Sequence, residues 1–527
     1  MILEELVGSF VSLFSRMIIQ TPAISRENLH TESGCLENSE QDEVCDGLIH
    51  REYNEQRAPT ELQYNEADDI SHLVQVDEQP RRNFCESIIR SFKANIGLIT
   101  VVVFILTLVT IACVLVGLTT NDYCIDWIVH KNLSSPKNVA TVEIAAVRFV
   151  LLLLFSWFPA CVALCFGFKE FRKNYLLDLF VLQLVTESAS TLYDIYFSYQ
   201  LFTVRDIDYS KYRLPGYAIF LFSILCGAYL VARKCKKINP TTSYNVIHIF
   251  IIFLMPFAGS CLFGLAYRYV VIKYFIETED RIKKAMIAAF TPGLCLPLIA
   301  VAKYILIRKS SEIITPDRAY VLCYFLHGGM IILYRTMQSG IEDIWLFIGL
   351  SLLHAVSNVL CKATHNLRVK IWTFFIKCYN RAICCGPRLV LQPLDSPRIR
   401  RFAADLEIQN ILFEYTTVIV SQAYLASFIL MNVDAPPWQV INGCLIRVAL
   451  SIGIDFLFNT ISVFIQIHCH NIPLCNVWKN YWIRHVVANV LVSICVINYF
   501  GGTLISVFLG LQDTLKVYKP RNCTSVF

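Results

Sequence analysis

From residue 96 to the C-terminus, apolar runs of about 20 residues recur with short polar breaks between them. A helix of that length crosses a hydrocarbon core about 30 Å thick. Backbone N–H and C=O groups find no water there, so such a chain crosses only as helices or as a closed barrel. These runs lack the alternation of barrel strands. The fold class is therefore all-α, a polytopic transmembrane bundle. The candidate spans are about 96–118, 143–168, 176–202, 214–233, 245–272, 285–307, 319–336, 344–361, 411–431, 443–467 and 485–511, about eleven in all. With 55% hydrophobic and 17% charged residues and a mean hydropathy of +0.52 over 527 residues, the chain is too apolar for an ordinary soluble protein.

Cations retained in short loops set the orientation. Arg81, Arg82, Arg90 and Lys93 precede the first span and place the N-terminus in the cytosol. Alternation then puts three basic groups on the same side: Lys169, Arg172 and Lys173; Arg233, Lys234, Lys236 and Lys237; and Arg308, Lys309 and Arg318. The segment 362–410, read as a basic cytosolic loop, adds Lys362, Arg368, Lys370, Lys377, Arg381, Arg388, Arg398, Arg400 and Arg401. Lys273, Arg281, Lys283 and Lys284 are the exception in a loop expected outside. An odd number of spans places the C-terminus outside.

The expected organisation is a cytosolic region 1–95, a first transmembrane bundle 96–361, the loop 362–410, a second group 411–511 and an outside tail 512–527. Residues 1–20 are acidic at Glu4 and Glu5, unlike a secretory signal, and are apolar at helical spacing. They read as a membrane-surface amphipathic helix, a partner-binding segment or a disordered end. Residues 27–80, with about fifteen Asp and Glu against two Arg, read as a disordered acidic stretch. The basic remainder favours anionic lipid headgroups as partners, and no aromatic-basic interleaving suggests nucleic acid.

Two N-glycosylation sequons, at Asn132 and Asn522, fall on the side expected to be outside. Cys124 and Cys523 are the two cysteines clearly on that oxidising side, and a disulfide between them is expected. Cys378, Cys384 and Cys385 lie in the basic segment as candidates for palmitoylation.

Ionisable groups within spans are costly, so their positions point to function. On the third span Glu187, Ser190, Thr191 and Asp194 form one stripe at i, i+3, i+4 and i+7. The ninth carries Glu407, Asn410, Glu414, Ser421 and Gln422, and the tenth Arg447, Ser451, Asp455, Asn459, Ser462 and Gln466. The eleventh adds His485, Asn489 and Ser493. Arg148, Arg268, Lys303 and Arg447 are the expected countercharges. The leading expectation is a pathway for a polar solute or ion lined by Glu187, Ser190, Asp194, Glu414, Arg447, Asp455 and Asn459. The competing reading is interhelical glue in a receptor or scaffold that moves nothing. Pro159 and Pro256 are each followed by Phe-Gly at the seventh and eighth positions, a short internal echo, and Gly328-Gly329 allows close packing or bending.

No phosphate loop, dinucleotide fingerprint, nucleophile elbow or zincin pattern is present, so neither an enzyme nor a cofactor is expected. His468-Cys469-His470 with Cys475 lacks the paired Cys-x-x-Cys of a zinc site. His327, His354 and His485 have no evident nucleophile beside them in the sequence. The fragment Glu187-Ser188-Ala189 with Leu192, after a proline-bearing helix, resembles the corresponding helix of the XK-related lipid scramblases over about one span. That resemblance implies lipid movement through a membrane-facing polar groove as an alternative; the expected outside C-terminus departs from the family.

Overall fold

A computed structural model of the chain describes residues 83–120, 152, 154–203, 214–309, 313–382, 397–432 and 435–509. Cys124, Asn132, Arg148, Asn522, Cys523 and the whole of residues 1–82 lie outside these. Among the described residues all regular structure is helical: α1 (Phe84–Val101), α2 (Thr107–Thr120), α3 (Leu154–Phe166), α4 (Phe168–Asn174), α5 (Leu176–Thr203), α6 (Leu214–Ile238), α7 (Val246–Ala266) and α8 (Lys273–Glu277). They continue as α9 (Arg281–Lys309), α10 (Pro316–Ser339), α11 (Ile344–Ala363), α12 (His365–Ala382), α13 (Pro397–Asn432), α14 (Pro437–Cys469) and α15 (Leu474–Leu509). Short π-helical stretches, Val102–Leu106 and Tyr267–Ile272, join α1 to α2 and α7 to α8.

Eight of these helical segments are long and apolar enough to cross a membrane, and α3 with α4 forms a ninth candidate bent by 118°. The chain is a multi-pass membrane protein. Helices α5 and α10, the most polar of the expected spans, are not among the eight. For α10 the physical reason is its surroundings. Nearly every residue from Ala319 to Ile341 is buried inside the protein, so the helix does not need a lipid-compatible surface. Helix α13 is its counterpart, buried on all sides over most of its length. Helix α14 shows the other pattern, with Leu445, Ile446, Leu450, Leu457 and Ile461 exposed along one face and its polar row buried along the opposite one.

The segment read as a cytosolic loop contains α12 and the first turns of α13, so the chain is helical over much of it. Of the described residues, 367–382 belong to one unit and the others to a second. Within the second unit the two expected transmembrane groups are not separate: α13 packs on α10, α2 and α1, and α15 on α10 and α2.

The close approach of α10 to its neighbours needs Gly328 and Gly329. A Cβ on Gly328 would sit 3.0 Å from the Phe413 ring of α13, and one on Gly329 would sit 2.8 Å from the Phe500 ring of α15. These glycines serve packing, as membrane helices without a hydrophobic driving force between them require. The echoed glycines have different roles. A Cβ on Gly264 would sit within 3.0 Å of the Tyr499 and Phe500 rings inside an unbroken segment, whereas Gly167 takes φ +85° at the α3–α4 bend, a conformation that favours glycine.

Candidate functional site: a polar seam through four helices

Four helices surround the largest set of buried polar side chains. Helix α10 packs on α13, α13 on α14, and α14 on α11, with a lighter contact from α11 back to α10. Across the diagonals, side chains make the connection. Arg335 of α10 reaches Asp455 of α14, Nη2 to Oδ2 at 2.5 Å, with both side chains at most 2% exposed. On the other diagonal, Asn358 of α11 donates to Glu414 Oε1 of α13 at 2.7 Å, and Lys362, one turn further along α11, pairs with Glu407, two turns away on α13. A charge buried in hydrocarbon is tolerated only with such a partner.

Glu414 is the most heavily held group. Asn410 donates to Oε1 at 3.1 Å, Asn459 donates to Oε2 at 3.1 Å, and His354 Nε2 lies 3.7 Å from Oε1. Among the described residues its one ion-pair contact is thus this imidazole, and three carboxamides supply the rest. The spacing on α13 explains the convergence: Glu407, Asn410 and Glu414 lie at i, i+3 and i+7, on one face.

Towards the other end, Gln338 of α10 donates to Ser351 Oγ of α11 at 2.5 Å, Ser351 meets Ser451 at 3.4 Å, and Gln422 of α13 donates to Ser339 Oγ at 2.8 Å. Arg447 closes this end. Its guanidinium donates to the carbonyls of Ser339 and Ile341 at 3.1 Å and of Glu342 at 2.9 Å. Ser339 is the last residue of α10, and Ile341 and Glu342 follow it in the turn to α11, so Arg447 caps the C-terminal end of α10 and the negative pole of its dipole. From Arg447 to Gln466 the α14 row spans about 28 Å at about 1.5 Å per residue, close to the thickness of a hydrocarbon core. Three seam atoms, Arg335 Nε, Asn410 Oδ1 and Gln422 Oε1, are buried without a hydrogen-bond partner.

The structure therefore brings together Glu414, Asp455 and Asn459, with Arg447 further along the same face of α14. It does not bring Glu187 and Ser190 to them. Helix α5 packs on α6 and α4. Ser190 is buried, Glu187 is half-buried, and Asp194 lies one turn beyond Ser190. The inward polar bonds of α5 run to its own neighbours: Gln183 to Ser156 at 2.7 Å, Thr186 to Ser223 at 3.2 Å, and Lys234 of α6 to Asp178 at 2.7 Å. Within the fragment that resembles the scramblases, Ser188, Ala189 and Leu192 are exposed on the outer side of this pair.

Of the expected countercharges, Arg447 binds carbonyls, and Arg268 donates to Tyr217 at 2.8 Å. The partner of Asp455 is Arg335, which sequence reasoning missed. One signal was available: Arg335 is the single cation in the run from Ala319 to Gly340, and such a residue needs an acid. His485 lies 3.0 Å from Asp405, and His468 3.4 Å from Ser87, so neither stands alone in its helix. Comparison with protein-family models, with curated proteins and with solved structures finds no match to this chain.

Proposed function

We propose that the chain moves a polar solute or ion across its membrane along the seam between α10, α11, α13 and α14. The observation that carries this reading is the continuity of the seam. Charged and amide side chains from four helices follow one another over about the thickness of a bilayer core. Glue at one depth needs one or two such contacts; a row of this length offers a sequence of stations. The unpartnered Arg335 Nε and Gln422 Oε1 leave hydrogen-bonding capacity for a polar guest.

Burial of the seam favours an enclosed site over a groove open to lipid. The scramblase alternative draws on α11, where Asn358 and Lys362 are only half-buried beside exposed Val356 and Leu360. Reconstitution of the full chain in liposomes, with ion and solute flux and lipid exchange measured side by side, separates the readings. Flux that falls at least tenfold in Asp455→Asn and Glu414→Gln supports the seam. Lipid exchange alone moves the assignment to a scramblase, and neither activity leaves a receptor or scaffold.

Eleven spans belong to the same proposal. The eight apolar segments, the bent α3–α4 pair, α5 and α10 together support that number. With the N-terminus in the cytosol, the C-terminus is outside, Asn132 is open to glycosylation, and the basic rim contacts anionic headgroups. Labelling of single cysteines from each side tests this topology, and a cytosolic C-terminus would refute it.

A further inference from the structure

A second buried charge cluster lies off the seam. On α13, Asp405 and Glu407 are two positions apart and so face different sides of the helix. Glu407 joins the seam, whereas Asp405 accepts from Arg401 Nε at 2.8 Å and from Arg484 Nη2 at 3.3 Å. Arg484 also pairs with Asp317 in the first turn of α10, and Arg318 Nε lies 4.0 Å from the same carboxylate. Among the described residues of this cluster, three guanidiniums thus meet two carboxylates, and one positive charge is left without a counterion.

Three details say where an anion would bind. Arg401 is 4% exposed, yet its Nη2 is buried and hydrogen-bonded to nothing, as is Arg484 Nε. A buried guanidinium N–H without an acceptor is costly, and an anion would supply the missing acceptors while balancing the excess positive charge of the cluster. Both guanidiniums lie over one aromatic ring, Tyr481, with their central carbons 4.3 Å (Arg401) and 4.7 Å (Arg484) from its centroid. Asp405 takes a contact from each fork, and the ring lies within cation–π reach of both, so two guanidiniums converge on one place; paired guanidinium N–H donors are what grip a tetrahedral oxyanion. Finally, Tyr481 has non-helical backbone angles, φ −128° and ψ 19°, inside α15. The helix bends at the residue that carries the ring.

We infer that Arg401 and Arg484, held on Tyr481 beside Asp405, form a binding site for a phosphate-bearing anion. Its chemistry is shared by a free phosphomonoester and by a phosphomonoester lipid headgroup, and the test distinguishes these sources. The full chain is placed in phosphatidylcholine nanodiscs and melted with added inorganic phosphate or glycerol 3-phosphate, at ionic strength held constant with chloride. In a parallel arm the nanodiscs are doped with phosphatidic acid.

A rise in melting temperature of about 3 °C or more is expected in at least one arm. A rise with the soluble anions alone assigns a free phosphate ligand, and a rise with phosphatidic acid alone assigns the headgroup. The double variant Arg401→Gln/Asp405→Asn removes one charge of each sign and is expected to lose the rise. Arg484→Lys keeps the positive charge but not the fork, is expected to reduce the rise, and decides the matter if the double variant does not fold. No rise in any arm, or a rise unchanged in these variants, overturns the site.

Discussion

Glu187 on α5 and Asp455 on α14 look alike in the sequence: each is an acid in an apolar run, within a polar stripe at helical spacing. In the structure they differ. Asp455 is closed inside a four-helix ring against Arg335. Glu187 sits half-buried on a helix that packs on α6, with the apolar side chains of Leu184, Val185 and Leu192 exposed around it. A stripe determines which residues share a face, but what the face meets depends on where the helix stands in the bundle. Burial behind other helices turns an acid into an obligate partner; a place at the rim leaves it able to reach water or headgroups.

The largest test of this contrast is Asp455→Ala. It strands Arg335 in a dry site and is expected to cost about 3–5 kcal/mol of stability, read as a large fall in melting temperature in detergent. The double variant Arg335→Met/Asp455→Leu removes both charges and is expected to recover most of that loss. If its transport is also intact, the pair is structural and the seam loses its central station.

Next in size is Glu414→Ala, which leaves the Asn358, Asn410 and Asn459 carboxamides without their acceptor. An expected cost of about 2–3 kcal/mol follows, with Glu414→Gln well below it. Arg447→Gln uncaps α10 and is expected to cost about 1–2 kcal/mol, measured in the same melts. The smallest effect is expected from Glu187→Gln, within about 0.5 kcal/mol and with flux unchanged. A loss of flux in that variant would break the comparison, because it would put the α5 stripe back on the pathway.

The all-helical, multi-pass architecture was legible from the apolar runs, since no other fold satisfies so much backbone in lipid. So were the individual stripes of α13 and α14, because a period of 3.6 residues fixes which side chains align. Their assembly was not. Arg335 and Asp455 are separated by 120 positions, and no local pattern links one helix's cation to another's acid. The segment 362–410 carries a related lesson. Its many cations suggested a loop, but Arg398 and Arg401 lie on the first turns of α13, where Arg401 is buried by its pairing with Asp405 and its stacking on Tyr481. Charge density marks the side of the membrane and says little about helix boundaries.

The diagonal pair also bears on how such a protein is made. Helix α10 leaves the ribosome well before α14, so Arg335 reaches the bilayer when Asp455 has yet to be synthesised. Until then Glu414 of α13 acts on it only across space, and its direct salt-bridge partner is missing. During biogenesis α10 is therefore a poor transmembrane segment, to be kept near the insertion machinery or at the headgroup level until the bundle closes around it. A nascent chain stopped before α14 would expose that unfinished state to quality control, and the final seating of α10 becomes a late, post-insertional step set by the arrival of its acid.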